Sequence, residues 1–366
     1  MSGVLRNNAW VLGLALLLAA LLAVTKIIQP SFGAPGLESV ARAALPFAFA
    51  TAGMAVVVIV GGIDLSVASM MAVCAVTTAV LMERMAGVPA VLVVLVVGLS
   101  MGLVNGALIV LTRVPDIVVT LAMLFVWEGT ALLILETPGG RTADWLRQSI
   151  RGGFLIDILP KALLIIAVCI AIVWVPIRRS KLGLSIYATG SDELAAFRSG
   201  VAVGRTRILA YGVCGLFCAM GGLSLAALTG IGEPVPGPYL LASVAAVVLG
   251  GVVLGGGKGG LLGPIIAVFI LRIIRTILTL LAVDPNVTTI IEGTIMVAVV
   301  MLGTAATLRG ARTCAWRPPT RRLSAWAASC GTTRWCRFWR SSFCSSPRWR
   351  SCGRASSCRS APGVTG

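Results

Sequence analysis

The sequence predicts an all-α membrane protein with about ten transmembrane helices, some of them broken or re-entrant. Three observations support this class: the mean hydropathy is +0.98, 58% of the 366 residues are hydrophobic, and only 12% are charged. A soluble domain would carry about a quarter charged residues. Apolar runs of about 20 residues, the length that crosses a bilayer, follow one another along most of the chain.

Each candidate span ends at a charged, proline-containing or glycine-rich stretch, which is the usual boundary of a helix. The stretches around 37–66 and 230–263 are interrupted by glycine or proline, so we expect the broken helices there. The predicted spans, in order, are 10–28, 37–60, 66–82, 88–111, 116–135, 162–177, 208–228, 239–254, 261–283 and 287–308.

The distribution of Lys and Arg predicts the orientation, because basic residues concentrate in cytoplasmic loops. The loop between the sixth and seventh spans holds a cluster that includes Arg178, Arg179 and Lys181. This cluster places the N-terminus and the even-numbered gaps on the cytoplasmic side of a bacterial inner membrane. The long polar stretch 136–161 then faces outward, where it could dock a partner.

The C-terminal tail, residues 311–366, differs from the membrane domain, residues 1–310. It is rich in Arg, Ser, Cys and Trp, and no acidic residue follows Glu292, so the net charge of +17 is mostly a property of the tail. One interpretation is that the tail is encoded by GC-rich DNA read out of frame. The other is that it is a genuine basic tail that lies on anionic lipid. We expect the tail to be poorly ordered and dispensable, and we do not read the charge as nucleic-acid binding.

One membrane run stops at Gly61-Gly62 and resumes after Asp64 and Ser66. A broken helix is tolerated at membrane depth only where protein or a polar cavity surrounds it, and a buried carboxylate there suggests function. Asp64 or Ser66 can cap the helix that follows. Whether they only cap it or also line a path is open at this point, and the two roles are compatible.

The basic inner loop contains a second candidate, the stretch 190–201. Asp192 can cap a short helix that runs through Arg198, and Gly200 suits its C-terminal end. Such a helix, presenting Ala195 and Ala196, could dock on another protein or could be an ordinary loop helix. The residues assigned to this segment are Gly190, Asp192, Glu193, Ala195, Ala196, Ser199 and Gly200.

The stretches 61–67, 190–201 and 239–281 together resemble the permease subunits of ribose/xylose/galactose-type ABC importers, a superfamily shared with branched-chain amino-acid permeases. The resemblance covers about residues 5–309 and includes the glycine-rich segment 255–260. It departs in several places: residues 240–243 lack the acidic residues common in the family, and Arg272 falls where a small residue is usual. Asp192 stands where the family often has Asn.

The resemblance implies that the chain works with partners. These are an ABC ATPase subunit that binds ATP and magnesium, a periplasmic substrate-binding protein and a second permease subunit, within membrane lipid. Residues 190–201 would carry the helix that docks on the ATPase. No cofactor is expected in this chain, because Lys258 lies in Gly-Gly-Gly-Lys-Gly-Gly, which lacks the spacing and the Ser/Thr of a P-loop.

Five further residues are candidates for the transport pathway. Four are charged, and charged side chains in spans are rare and often functional; the fifth is a tryptophan that could stack on a sugar. The arginines could instead snorkel to an interface or pair with an acid, and tryptophan more often anchors at the interface than stacks on a sugar. Arg275 falls where the family commonly has arginine. The candidates are Trp127, Glu128, Arg272, Arg275 and Glu292.

The function predicted from the sequence is the permease of an ATP-driven monosaccharide importer, which performs no covalent chemistry. Two alternatives stay open: the same architecture with a branched-chain amino acid or nucleoside as cargo, and an ion-driven secondary transporter. An intramembrane enzyme is disfavoured, because the chain contains no histidine and no convincing pair of nucleophile and base.

Overall fold

A computed structural model describes residues 9–298 and 301, except 86, 155, 236, 285 and 296. The regular secondary structure of the described residues is helical apart from one small hairpin, and residues 286–295 are also helical. The elements are α1 Ala9–Ile28, α2 Ala34–Val60, α3 Val67–Arg84, α4 Val88–Thr112, α5 Asp116–Ile134, α6 Asp144–Ser149, β1 Gly153–Phe154, β2 Ile156–Pro160, α7 Lys161–Arg179, α8 Lys181–Ser191, α9 Glu193–Arg198, α10 Val203–Thr229, α11 Tyr239–Leu249 and α12 Leu262–Leu280.

Eight helices in the described part are long and apolar enough to cross a membrane, which confirms the predicted class of a multi-pass all-α membrane protein. They correspond to the first seven predicted spans and to the ninth. Residues 286–295 begin the tenth, whose later part lies outside the described residues together with the predicted tail, residues 311–366.

The eighth predicted span, 239–254, is wrong in length. Helix α11 contains 11 residues, which extend about 16 Å at 1.5 Å per residue, against a hydrocarbon core of about 30 Å. It ends because Gly251 adopts a left-handed conformation with φ of +82°. Most of residues 250–261 then form irregular backbone.

Helices α2 and α10 form the centre of the described bundle. Helix α10 packs against α2, α3 and α4, and almost all of the second half of α2 is buried. The peripheral helices instead expose apolar side chains such as Leu16, Phe125 and Ile172. This arrangement fits a protein whose outer surface contacts lipid.

The closest helix pair depends on a stripe of small residues in α4. A β-carbon on Gly98 would lie 2.5 Å from the Cβ atom of Ala219, and one on Gly106 would lie 2.8 Å from the Cα atom of Ile208. Gly102, between them, meets the backbone of α10 in the same way. Glycine at every fourth residue therefore lets the two backbones approach closely, as in other membrane helix pairs.

The loop predicted to face outward packs on the break that follows α10. Gly139 and Gly232 exchange two backbone hydrogen bonds of 3.1 and 2.7 Å, and the hydroxyl of Thr142 donates to the carbonyl of Ala226 at 2.9 Å. These two stretches therefore lie at the same end of the helices, as the predicted topology requires.

Helix α11 ends against the first helix of the chain. The indole N–H of Trp10 donates to the carbonyl of Leu249 at 2.9 Å, although the two residues are 239 positions apart. The last carbonyls of a helix lack partners within the helix. Trp10 therefore supplies one of the bonds that the broken α11 loses.

Candidate functional site

The break between α2 and α3 is built from the glycine pair. Gly61 has φ of +95°, its N–H donates to Val58 at 3.0 Å, and the N–H of Gly62 donates to Val57 at 2.9 Å. This is a Schellman motif, in which the left-handed residue favours glycine. The motif ends α2 without leaving these carbonyls unpaired.

Asp64 and Ser66 are both fully buried and bind each other. The Oδ1 atom of Asp64 accepts the backbone N–H of Ser66 at 2.9 Å and its hydroxyl at 2.6 Å, which folds the segment into an Asx turn. The predicted side-chain cap by Ser66 is wrong, because its hydroxyl donates to Asp64 and makes no hydrogen bond to the N–H groups of α3.

The hydrogen bonds continue from the break into two neighbouring helices. Asn105 on α4 donates its side-chain amide to the hydroxyl of Ser66 at 2.7 Å, and its oxygen accepts the indole N–H of Trp127 on α5 at 3.1 Å. Trp127 is partly buried against the apolar core. The indole N–H of this pathway candidate is therefore bonded inside the protein.

Two further contacts fix the other side of the break. The hydroxyl of Tyr211 on α10 donates to Asp116 on α5 at 3.1 Å, and that of Thr120 reaches the carbonyl of Ile63 at 3.3 Å. A β-carbon on Gly62 would lie 2.6 Å from the Tyr211 hydroxyl. Sequence reasoning missed Asn105, Asp116 and Tyr211, because each is bonded to a residue far away along the chain.

Replacing Asn105 by leucine should lower the free energy of unfolding by about 2 kcal/mol, since the Trp127 indole N–H loses its acceptor and the Ser66 hydroxyl keeps only its bond to Asp64. The thermal unfolding midpoint in detergent would measure the change. Ser100→Ala is the matched control on the same helix, because Ser100 bonds only to its own helix at Val97 and is exposed. If both variants had the same thermal unfolding midpoint, Asn105 would not stabilise the break.

The inner-loop helix α9 is capped at both ends. The Oδ1 atom of Asp192 accepts the N–H of Ala195 at 2.9 Å. At the other end, Gly200 has φ of +84°, and the N–H groups of Gly200 and Val201 donate to Phe197 and Ala196 at 3.0 Å each. These caps form the short helix that the sequence predicted.

The exposed apolar surface of α9 differs from the predicted one. Ala196 is buried, whereas Leu194 is 57% and Phe197 is 69% exposed. We call Leu194 and Phe197 the docking patch. The prediction that Ala195 and Ala196 are both presented is therefore wrong for Ala196, because a helix of six residues is too short for its buried side to be read from periodicity.

One ion pair attaches α9 to its surroundings, because the carboxylate of Glu193 pairs with Arg207 on α10 at 3.0 Å. The hydroxyl of Ser199 donates to the carbonyl of Ala195 at 2.8 Å and stays within the end of α9. The ion pair is largely solvent-accessible on the Glu193 side, so it positions α9 more than it stabilises the fold.

Replacing Asp192 by alanine should make the amides of α9 exchange with solvent about fivefold faster, because losing an N-cap costs about 1 kcal/mol. Hydrogen exchange over residues 193–198 would measure this. Asp192→Asn is the matched variant and should retain the slower exchange, since the amide oxygen can accept the same bond. Equal exchange rates in both variants would contradict the cap.

Three glycine-containing motifs meet where α2 ends. A β-carbon on Gly256 would lie 2.9 Å from the Cα atoms of both Gly190 and Gly61. The N–H of Gly257 donates to the carbonyl of Ile59 at 2.9 Å, which satisfies a carbonyl near the end of α2. We call Gly61, Gly190, Gly256 and Gly257 the glycine junction. It joins the helix break, the inner loop and the glycine-rich segment through backbone contacts alone.

A hydrogen bond also holds the inner loop to the glycine-rich segment. The hydroxyl of Tyr187 on α8 donates to the carbonyl of Gly259 at 2.8 Å. Burial raises the pKa of the Tyr187 hydroxyl, so the group stays protonated and remains a donor at neutral pH. Helix α8 is therefore attached to residues 256–259 at two points.

Three of the five pathway candidates lie together. Arg272, Arg275 and Glu292 line one cavity of about 200 Å³. The Nε atom of Arg275 pairs with Glu292 at 3.2 Å, and the guanidinium of Arg272 lies 5.5 Å from the ring centroid of Phe47. Trp127 and Glu128 lie on α5 and do not line this cavity.

Comparison with known proteins identifies relatives. Residues 36–300 match the family model described as "Branched-chain amino acid transport system / permease component". The ribose import permease protein RbsC of Escherichia coli (strain K12) is 29% identical over 304 residues, covering 81% of this chain and 95% of the relative. The autoinducer 2 import system permease protein LsrD of the same strain is 30% identical over 262 residues, covering 68% and 77%. No solved structure gives a significant match.

Proposed function

The chain belongs to the branched-chain amino acid transport system permease family, and from this membership we propose that it is the membrane-spanning subunit of an ATP-driven, binding-protein-dependent importer of a monosaccharide. The sugar cargo is supported by the names of the relatives, one a ribose and the other an autoinducer 2 import permease. The proposed location is the bacterial inner membrane, in which eight described helices are long enough to span.

The glycine junction is the observation that most strongly supports this role. In the proposed mechanism, a partner ATPase binds ATP and magnesium, contacts the docking patch and moves α9. Helix α9 is attached to α10 through the pair Glu193–Arg207, and α8 contacts the junction through Gly190. A displacement of α9 would therefore reach the end of α2 and the irregular segment 250–261 together, as a rigid-body movement.

The same arrangement assigns Asp64 a structural role. Its Oδ1 atom accepts two hydrogen bonds from Ser66, so we propose that the carboxyl group holds a turn beside moving elements and does not relay protons during transport. The chain would perform translocation only. A periplasmic binding protein would deliver the sugar, and a second permease subunit, identical or different, would complete the pathway.

The energy source of uptake tests the proposal. Cells that express the chain with its ATPase and binding protein would be given labelled D-ribose. Uptake should continue when a protonophore dissipates the proton gradient and should stop when ATP is depleted. Uptake that stops with the protonophore while ATP is kept constant would instead indicate an ion-driven secondary transporter.

A further inference from the structure

The cavity that contains Arg272 has the chemistry of a sugar site. We propose that it binds the cargo as a neutral monosaccharide, with the guanidinium of Arg272 donating to the hydroxyl groups and the rings of Phe47 and Tyr239 contacting the sugar's C–H faces. This inference rests on the proposed function and names the residues that would recognise the substrate. We call this the arginine cavity; its charged and aromatic lining residues are Phe47, Glu233, Tyr239, Arg272, Arg275 and Glu292.

Arg272 lines the cavity, and its buried Nε atom is a donor without a hydrogen-bond partner among the described residues. A buried donor without a partner is costly, and a guanidinium offers five N–H donors in a fixed plane. Arg275 differs, because its Nε atom is paired with Glu292 at 3.2 Å. The guanidinium of Arg272, which also bonds the Tyr239 hydroxyl, is therefore the donor group that hydroxyl groups entering the cavity would meet.

The charge of the arginine cavity favours a neutral ligand. Its two arginines are balanced by Glu233 and Glu292, and one arginine and one glutamate already form an ion pair. A phosphorylated sugar would add two negative charges to a site that has no surplus of positive charge. A polyhydroxylated ligand instead donates and accepts hydrogen bonds at the same time, which suits a lining that contains both guanidinium and carboxylate groups.

Two aromatic rings provide the apolar part of the site. The rings of Phe47 on α2 and Tyr239 on α11 are 6.4 Å apart between centroids and inclined at 58°. Ligand sites commonly combine such aromatic surfaces with a few convergent polar groups. Tyr239 is also the first residue of the broken helix α11, whose first N–H groups have no partner within the helix.

The arginine cavity adjoins a possible route from outside. Arg272 and Arg275 also line a second cavity of about 360 Å³, which contains Gln29, Ser39 and Thr276. Gln29 follows α1 at the end that the distribution of basic residues places outside. The two arginines therefore form a wall shared by both cavities, where a sugar arriving from the outer side would meet them first.

The test measures the Michaelis constant of uptake in cells that contain the complete importer. D-ribose, D-xylose, D-galactose and L-leucine are the probes. For each sugar that the wild type takes up, Arg272→Met and Phe47→Leu should raise KM about tenfold and change the maximal rate less than about twofold. Arg272→Lys should give an intermediate KM, because one charged donor group is retained.

Arg42→Met is the matched control. The Nε atom of Arg42 is likewise buried without a hydrogen-bond partner among the residues described, but Arg42 pairs with Glu38 at 3.6 Å and does not line the arginine cavity. Its KM should stay within about twofold of the wild type. Immunoblots of the membrane fraction would normalise every rate to the amount of permease.

The outcomes separate this inference from the proposed function. If the wild type takes up a sugar but neither cavity variant changes KM, the sugar site lies elsewhere and the importer role stands. An equal change in Arg42→Met would also overturn the site. If the wild type takes up L-leucine or none of the probes, the monosaccharide cargo is wrong, and the sugar site is overturned with it.

Discussion

Replacing Gly190 by alanine is expected to reduce the uptake rate at least about tenfold, because overpacking a site bounded by backbone costs about 1–3 kcal/mol. The new β-carbon would overlap the carbonyl oxygen of Ile59 and lie 2.5 Å from the backbone nitrogen of Gly257. Neither atom can rotate away as a side chain could. The variant should separate α8 from the end of α2 and so break the contact that would couple the ATPase to the permease.

Two measurements distinguish this effect from misfolding. The uptake rate per permease in the membrane should fall, while ATP hydrolysis by the assembled complex should continue without transport. Gly260→Ala is the matched control, because it lies in the same glycine-rich segment and a β-carbon there meets no atom within 4 Å. Equal uptake in both variants would show that the glycine junction does not transmit motion.

Replacing Phe197 by serine is expected to weaken binding of the ATPase subunit about 30-fold, since a central aromatic residue in an interface commonly contributes 2 kcal/mol or more. Phe197 is 69% exposed. It lies in the inner loop, outside the lipid-facing spans, where a large apolar side chain is usually buried. The dissociation constant of the detergent-solubilised permease and its ATPase would measure the loss.

Leu184→Ser provides the comparison for the docking patch. Leu184 is 73% exposed on the preceding helix α8 and does not belong to the patch. Its replacement should leave the dissociation constant within about twofold of the wild type. The patch would be excluded as the ATPase contact if both serine variants bound equally well, or if only Leu184→Ser weakened binding.

Hydropathy predicted the long helices because a membrane admits few alternatives. Backbone groups that cross the hydrocarbon core must be paired within the segment, so an apolar run of the right length becomes a helix. Residues 239–254 do not follow this rule. The run is mostly apolar, but the helix ends at Leu249 because the next two residues are glycines and Gly251 turns with φ of +82°. Hydropathy averages over such a position and does not register its backbone conformation.

The candidate site divides into local features, which the sequence predicted, and long-range ones, which it did not. The cap of α9 joins Asp192 to a residue three positions away, so its chemistry can be read from spacing alone. The bond between Asn105 and Ser66 joins residues 39 apart, and that between Tyr211 and Asp116 joins residues 95 apart. Nothing in the local pattern indicates which buried polar groups become partners.

The glycine junction combines local motifs, which the sequence predicts, with a long-range contact, which it does not. In the sequence, Gly61 belongs to the helix break and Gly190 belongs to the inner-loop stretch 190–201, which are separate motifs. Their meeting with Gly256 depends on how α2, α8 and the segment after α11 pack, which no single motif contains. For the same reason, the sequence does not show that Arg272 and Arg275 share a cavity with Glu292.

The bond between Trp10 and Leu249 sets an order for biogenesis. Because its two residues are separated by 239 positions, the first helix must leave the translocon and remain nearby until α11 has been synthesised. At about 5–20 residues per second, that wait lasts roughly 12–48 seconds. The terminal carbonyl of α11 therefore obtains its donor late, and the broken helix is among the last elements to mature.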